Sequence, residues 1–126
     1  MADLALRPLT QEEEKLLRWT LEHGSDDAKL YLPQIEGLRA KRSCTCGCPS
    51  IELVVSDGAP GAVAAKERIV ADLSGQTPEG ISVGVLLFQD EGKLSELEIY
   101  PYENEGEFSL PTIESLAPFE TGKPVS

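Results

Sequence analysis

Histidine, tryptophan and methionine each occur once in this chain of 126 residues, and cysteine occurs three times. Catalysis of the Ser/His/Asp type would depend on the single histidine, His23, and the sequence contains no nucleophile elbow. It also lacks a Walker motif and a dinucleotide-binding motif, because Gly58 and Gly61 do not have the required spacing. No apolar run approaches the roughly 20 residues that a membrane-spanning helix needs. These absences argue against an enzyme and favour a noncatalytic role.

Positive charge is also scarce. Lysine and arginine together number 11 against 22 aspartates and glutamates, so the formal net charge is -11, and the isoelectric point is about 4.4. A field of this sign repels phosphate backbones, which excludes nucleic acid as an expected partner. The same field attracts and steers a basic protein. Simple solubility is the alternative explanation of the charge.

The N-terminal residues 1–8 contain no basic region followed by an apolar run, so no signal peptide is visible. We therefore expect a cytoplasmic protein that is not attached to a membrane, with its thiols reduced. Hydrophobic residues make up 40% of the chain, which is enough for an ordered core. The length suits one domain over residues 1–126, with a flexible tail over 119–126.

A capping box marks the start of the first helix. The Thr10 hydroxyl can accept from the Glu13 amide while the Glu13 side chain reaches back to the amide of Thr10. Apolar residues at helical spacing then predict a helix over residues 11–23. A shorter second helix would begin near Ser25 and stop before Pro33, because the residue before proline avoids the α region.

The remainder of the chain has strand character. Strands are predicted over 35–43, 51–55, 81–88 and 94–102, the third of them apolar enough to be covered on both faces. Residues 62–73 suit either a helix or a strand, and a strand over 67–74 is favoured because it forms a meander with the strands that follow. The predicted fold class is therefore α+β, with an N-terminal helix and a short second helix packed on an antiparallel meander sheet of four to five strands. The predicted core residues are Leu16, Leu17, Leu21, Leu53, Val55, Val83, Val85, Leu87, Leu97 and Ile99.

Two segments, VGVLLF at 83–88 and DEGKLSELEIY at 90–100, resemble the C-terminal hairpin of small uncharacterised bacterial proteins. Some of these proteins look like immunity partners in toxin–immunity systems. The cysteine-rich string before Pro49 fits the same resemblance. It implies a bacterial source and a noncatalytic, protein-binding role, and it carries no catalytic residues to this chain.

The three cysteines, Cys44, Cys46 and Cys48, alternate within one short segment. Structural zinc needs four nitrogen or sulfur ligands in a tetrahedron. Alternate side chains of an extended strand lie about 6.6 Å apart, so the thiols reach one ion only if Gly47 breaks the strand. The candidates for a fourth ligand are His23, Asp26 and Asp57. We therefore expect no cofactor, and zinc bound to this segment is the alternative.

Two other interpretations of the cysteine segment stay open. Lys41 and Arg42 lie just upstream and would lower a thiol pKa, which favours a redox site in which one cysteine resolves another. Alternatively, the cysteines are small apolar residues packed at a hairpin connection, as free cysteine often is.

Four polar and aromatic side chains, Glu96, Glu98, Tyr100 and Tyr102, alternate along the last predicted strand and therefore share one of its faces. A solvated sheet face is one interpretation. If the face is functional, tyrosines beside carboxylates suit protein binding better than a catalytic pair. The sequence thus favours a noncatalytic protein-binding module that binds a basic protein, and the resemblance above implies that this module is immunity-like. The alternative is a thiol-based metal-binding or redox protein.

Overall fold

The computed structural model describes residues 6–24, 26–42, 49–56, 68–102 and 109–118. In chain order the elements are β1 (Arg7–Pro8), α1 (Gln11–Glu22), α2 (Asp26–Lys29), a 3-10 turn (Leu32–Ile35), β2 (Arg39–Arg42), β3 (Ile51–Val54), β4 (Ile69–Gln76), β5 (Ser82–Asp90), β6 (Lys93–Pro101), a second 3-10 turn (Ile113–Ser115) and β7 (Ala117–Pro118). Helix and antiparallel sheet together confirm the α+β class.

The strands of the described ranges form one seven-stranded antiparallel sheet in the order β1-β2-β3-β6-β5-β4-β7. The predicted count of four to five strands is too low, because β1 and β7 have only two residues each and show no alternation in the sequence. The prediction of a single meander also needs correction. Strands β4, β5 and β6 do form a meander, but β3 pairs with β6, with Ile51 opposite Leu97.

The first helix begins at the predicted capping box. The Thr10 hydroxyl accepts from the Glu13 amide at 3.1 Å, and the Glu13 carboxylate accepts from the Thr10 amide at 2.9 Å. The guanidinium of Arg7 donates to both oxygens of the same carboxylate, each at 2.8 Å. Because Glu13 ties the cap to β1, the chain entering the helix is anchored to the edge of the sheet.

The segment after α1 is less regular than predicted. The second helix is a single turn, Asp26–Lys29, and Pro33 lies inside the 3-10 turn Leu32–Ile35 that follows it. The strand expected from residue 35 begins only at Arg39, because Gly37 adopts a left-handed conformation with φ of 79°. This turn redirects the chain into the sheet.

The core lies between the leucine stripe of α1 and one face of the sheet. Every predicted core side chain is buried except Val55, which is half-buried because β3 ends at Val54. Residues 69–76 form β4, so the strand interpretation is right for the described part of the ambiguous segment. The predicted tail over 119–126 lies outside the described residues.

A buried amide holds the β5–β6 hairpin in place. The fully buried side chain of Gln34 donates from Nε2 to the Gly92 carbonyl at 2.8 Å and accepts at Oε1 from the Leu94 amide at 2.9 Å. The turn itself has positive φ at Glu91 and Gly92, 53° and 82°, the pairing that a two-residue hairpin of matching twist requires. The 3-10 turn thus fixes the hairpin that carries the candidate site.

Candidate functional site

The sheet has a second face, opposite the core. Along β5 the side chains of Val83, Val85 and Leu87 enter the core, so those of Leu86 and Phe88 lie on the opposite side. We call this side the outer face. The strand register places on it Arg39, Lys41, Glu52, Val54, Ile69, Asp72, Ser74, Gly84, Leu86, Phe88, Glu96, Glu98 and Tyr100. The ring of Tyr102 contacts that of Tyr100 on the same face. None of these described residues belongs to the core cluster or packs against it. The outer face is therefore a surface distinct from the core.

The outer face is organised in rows that cross the strands. In the first row Glu52 is opposite Glu96, and Glu96 is opposite Phe88. In the second row Leu86 lies between Glu98 and Asp72. Like charges directly opposite each other destabilise a sheet. The Glu52–Glu96 pair is offset only in part by Lys41, whose ammonium lies 3.7 Å from the Glu52 carboxylate.

Two carboxylates of the outer face, Glu96 and Asp72, are held in surroundings that disfavour their charge. Burial raises the pKa of Glu96, and the neighbouring charges of Glu98 and Glu52 raise it further, against the opposing effect of Arg68. Burial also raises the pKa of Asp72. The Oδ1 atom of Asp72 is buried and accepts no hydrogen bond within the described part of the chain. This face thus concentrates negative charge that its own residues only partly compensate.

Two tyrosines lie beside these carboxylates. Tyr100 is opposite Gly84, and its ring occupies the space that a Cβ atom on Gly84 would need. The ring therefore lies across the backbone of β5. Tyr102 meets it edge-on, with ring centroids 5.7 Å apart. Burial raises the pKa of both phenols, and the charge of Asp72 contributes in each case.

Arg68 adds a further cation to this surface. The guanidinium carbon of Arg68 lies 5.3 Å from the centroid of the Phe88 ring, within the range of a cation–π interaction. Arg68 also lowers the pKa of Glu96. A positively charged group at this place therefore meets both an aromatic face and a carboxylate.

The four side chains predicted as a protein-binding patch, Glu96, Glu98, Tyr100 and Tyr102, lie together on the outer face. The sequence did not identify Asp72, Leu86 and Phe88 as their neighbours, because the register between strands was unknown. The almost continuously apolar sequence of β5 predicts cover on both faces, whereas Leu86 and Phe88 are only half-buried. The alternation along β5 is the signal that would distinguish its two faces.

Of the predicted metal ligands Cys44, Cys46, Cys48 and His23, only His23 lies within the described residues. Cys44, Cys46 and Cys48 lie outside the described residues. The His23 ring stacks on that of Trp19 with centroids 4.2 Å apart, and its Nδ1 lies 3.0 Å from the Trp19 carbonyl oxygen. No group of three or more His, Cys, Asp or Glu side chains suited to a metal ion occurs within the described ranges.

A groove of about 330 Å³ lies between the first turn of α1 and the segment before β7. Glu12, Lys15 and Pro78 line it together with residues 109–114. The side chains among these residues include no histidine or cysteine, and Glu12 and Lys15 are exposed at the helix start. The lining also includes the hydroxyls of Ser109 and Thr112, and the Ser109 hydroxyl donates to the Glu79 carboxylate at 2.9 Å.

No protein-family model matches this chain, no curated protein is detectably similar in sequence, and no solved structure is detectably similar to it. In the part of the chain that the structure describes, no helix has the length and apolar character needed to cross a membrane.

Proposed function

We propose that this protein is a noncatalytic binding module that holds a basic protein against the outer face of its sheet. The observation that carries the proposal is the combination of Glu96, Glu98 and Asp72 with half-buried aromatic and aliphatic side chains on one face. Protein interfaces favour aromatic anchors in their cores, and complementary charge sets the choice of partner.

The carboxylates of the outer face indicate that the partner carries positive charge. A cationic side chain placed between Glu52 and Glu96 would relieve the repulsion of two carboxylates that lie directly opposite each other. A second copy of the chain is a poor occupant, because each copy carries a formal net charge of -11 and two such faces repel. A basic protein meets both requirements.

The finer assignments form part of the same proposal. We place the protein in the bacterial cytoplasm, where an immunity-like module would neutralise a basic toxin by covering its cationic surface. The proposed role needs no cofactor, because affinity would come from charge and apolar contact alone.

The experiment is a capture assay with purified protein as bait at low and at high salt. The test variant is Glu96→Gln/Glu98→Gln, and the matched control is Glu22→Gln/Glu114→Gln, which removes the same charge from exposed positions elsewhere. We expect a basic protein to be retained at low salt by the unmodified bait and the control, and to be lost with the test variant.

Screening should release the partner at high salt, since exposed charges interact over only about 10 Å at 0.1 M ionic strength. Equal retention by the test variant and the control would contradict binding through the outer face. Retention of an acidic protein would contradict the proposed chemistry of the partner.

The thiol-based metal or redox function stays a prediction. The cysteines that would carry it lie outside the described residues, and the described geometry of His23 gives it no added support.

A further inference from the structure

We propose that the outer face recognises an arginine side chain of its basic partner, seated between the Asp72 carboxylate and the ring of Tyr100. The inference rests on the proposed function and specifies its central contact. Three features carry it: an acceptor atom without a donor, an aromatic ring laid across the sheet, and the position of the two on neighbouring rows.

Asp72 supplies the acceptor. Its Oδ1 is buried, and no hydrogen bond from the described residues reaches it. A carboxylate that loses water without gaining a donor destabilises the folded state, and a charged donor is the strongest remedy. Leu86 separates it from Glu98 along the same row. Asp72 as a whole is only half-buried, so a donor would approach its carboxylate from the outer face and reach Oδ1 by displacing the side chains that cover it.

Tyr100 supplies the platform. Because a Cβ atom on Gly84 would collide with its ring, the ring must lie close against the backbone of β5. Tyr102 contacts it edge-on and so fixes its orientation. Tyr100 is nevertheless only half-buried, which leaves part of the ring available to a ligand.

The strand register places the carboxylate and the ring on neighbouring rows of the outer face. Tyr100 lies opposite Gly84, which lies opposite Ser74, two residues after Asp72 in β4. The ring extends from β6 across β5 and therefore toward β4. The charge of Asp72 raises the pKa of both Tyr100 and Tyr102, which is consistent with this proximity.

This arrangement favours arginine over lysine. A guanidinium is flat, so it can stack on a ring while its edge donates to a carboxylate in the bidentate manner. An ammonium has no flat face and retains its water more strongly. Arg68 already makes a ring contact of this kind with Phe88 in a neighbouring part of the face.

The test is an NMR titration of the full chain at low ionic strength with two peptides, Ac-Gly-Gly-Arg-Gly-Gly-NH2 and its lysine counterpart. We expect the arginine peptide to shift the amide signals of Asp72 and Tyr100 and to bind several-fold more tightly than the lysine peptide. Asp72→Asn should weaken binding of the arginine peptide about tenfold, the effect of losing one charged hydrogen bond.

Two further variants separate charge from platform. Tyr100→Leu removes the ring and should bind the arginine peptide less tightly. Glu114→Gln, exposed near β7, is the charge-matched control and should leave affinity unchanged. Titration of the unmodified protein maps the site even where a variant fails to fold.

Two results would overturn the arginine site while leaving the proposed function in place. One is equal affinity for the two peptides. The other is shifts confined to the Glu52–Glu96 pair and unaffected by Asp72→Asn. Absence of shifts on the outer face with either peptide would count against the arginine site, while the salt-dependent capture of a basic protein would remain the separate test of the proposed function.

Discussion

Replacing Gln34 by alanine should detach the β5–β6 hairpin from the 3-10 turn beneath it. The side chain is fully buried and makes two hydrogen bonds, of 2.8 and 2.9 Å, to the Gly92 carbonyl and the Leu94 amide. Both backbone partners are themselves buried, so water cannot replace the lost amide without opening the structure.

The magnitude follows from those two partners. Leaving a buried donor or acceptor unsatisfied costs about 1–3 kcal/mol, so two of them cost about 2–6 kcal/mol in the free energy of unfolding. The cavity left by the shorter side chain adds to this cost. We expect a loss of about 3–5 kcal/mol, which is a large part of the stability of an ordinary domain.

Urea unfolding followed by circular dichroism measures this loss, with Gln11→Ala at an exposed helix position as the matched control. The control should change stability by no more than about 0.5 kcal/mol. Hydrogen exchange of the Leu94 amide is a second measurement, because this amide donates its hydrogen bond to Gln34 Oε1. A loss under about 1 kcal/mol at an unchanged denaturant slope, with Leu94 still protected, would refute the anchoring role.

Three other predictions test the cap, the outer face and the cysteines. Hydrogen bonds from Arg7 and the cap outweigh burial and lower the pKa of Glu13, so its stabilising effect is present above about pH 5 and lost as pH falls through the folded-state pKa. Glu13→Gln should therefore lower the free energy of unfolding by about 1–2 kcal/mol at neutral pH. In thermal melts the difference in Tm between the variant and the unmodified protein should become smaller in acid. A Tm difference that does not depend on pH would contradict this. Gly84→Val should displace the Tyr100 ring and weaken binding of the arginine peptide in the NMR titration. Unchanged chemical shifts of the Tyr100 ring together with unchanged affinity would contradict the contact between this ring and the backbone of Gly84. If the cysteine segment binds zinc, elemental analysis should find close to one ion per chain and chelation should lower Tm; metal-free protein with thiols inert until unfolding would leave the packed-hairpin interpretation.

Local patterns predicted the local elements well. The capping box at Thr10 and Glu13 fixed the start of α1, and the alternation around Leu97 and Ile99 fixed the facing of β6. Each depends on residues within a few positions of one another, so the physical cause lies within the segment itself.

Contacts between distant segments were not predictable in the same way. Gln34 bonds to partners 58 and 60 residues away, and its burial has no signature in a run of neighbouring residues. The β3–β6 pairing depends on register, which is set by how two faces fit when the sheet assembles. For that reason the sequence predicts the tyrosines and glutamates that share a face of β6. It does not predict that Asp72 of β4 and Phe88 of β5 lie on the same face of the sheet.

The two ends of the sheet have a consequence for how this protein behaves when concentrated. β1 and β7 are each two residues long and each ends in a proline, Pro8 and Pro118. Proline has no amide hydrogen to offer, so these short borders are poor templates for an incoming strand from another molecule. Within the residues that the structure describes, edge-to-edge growth into aggregates is thereby discouraged.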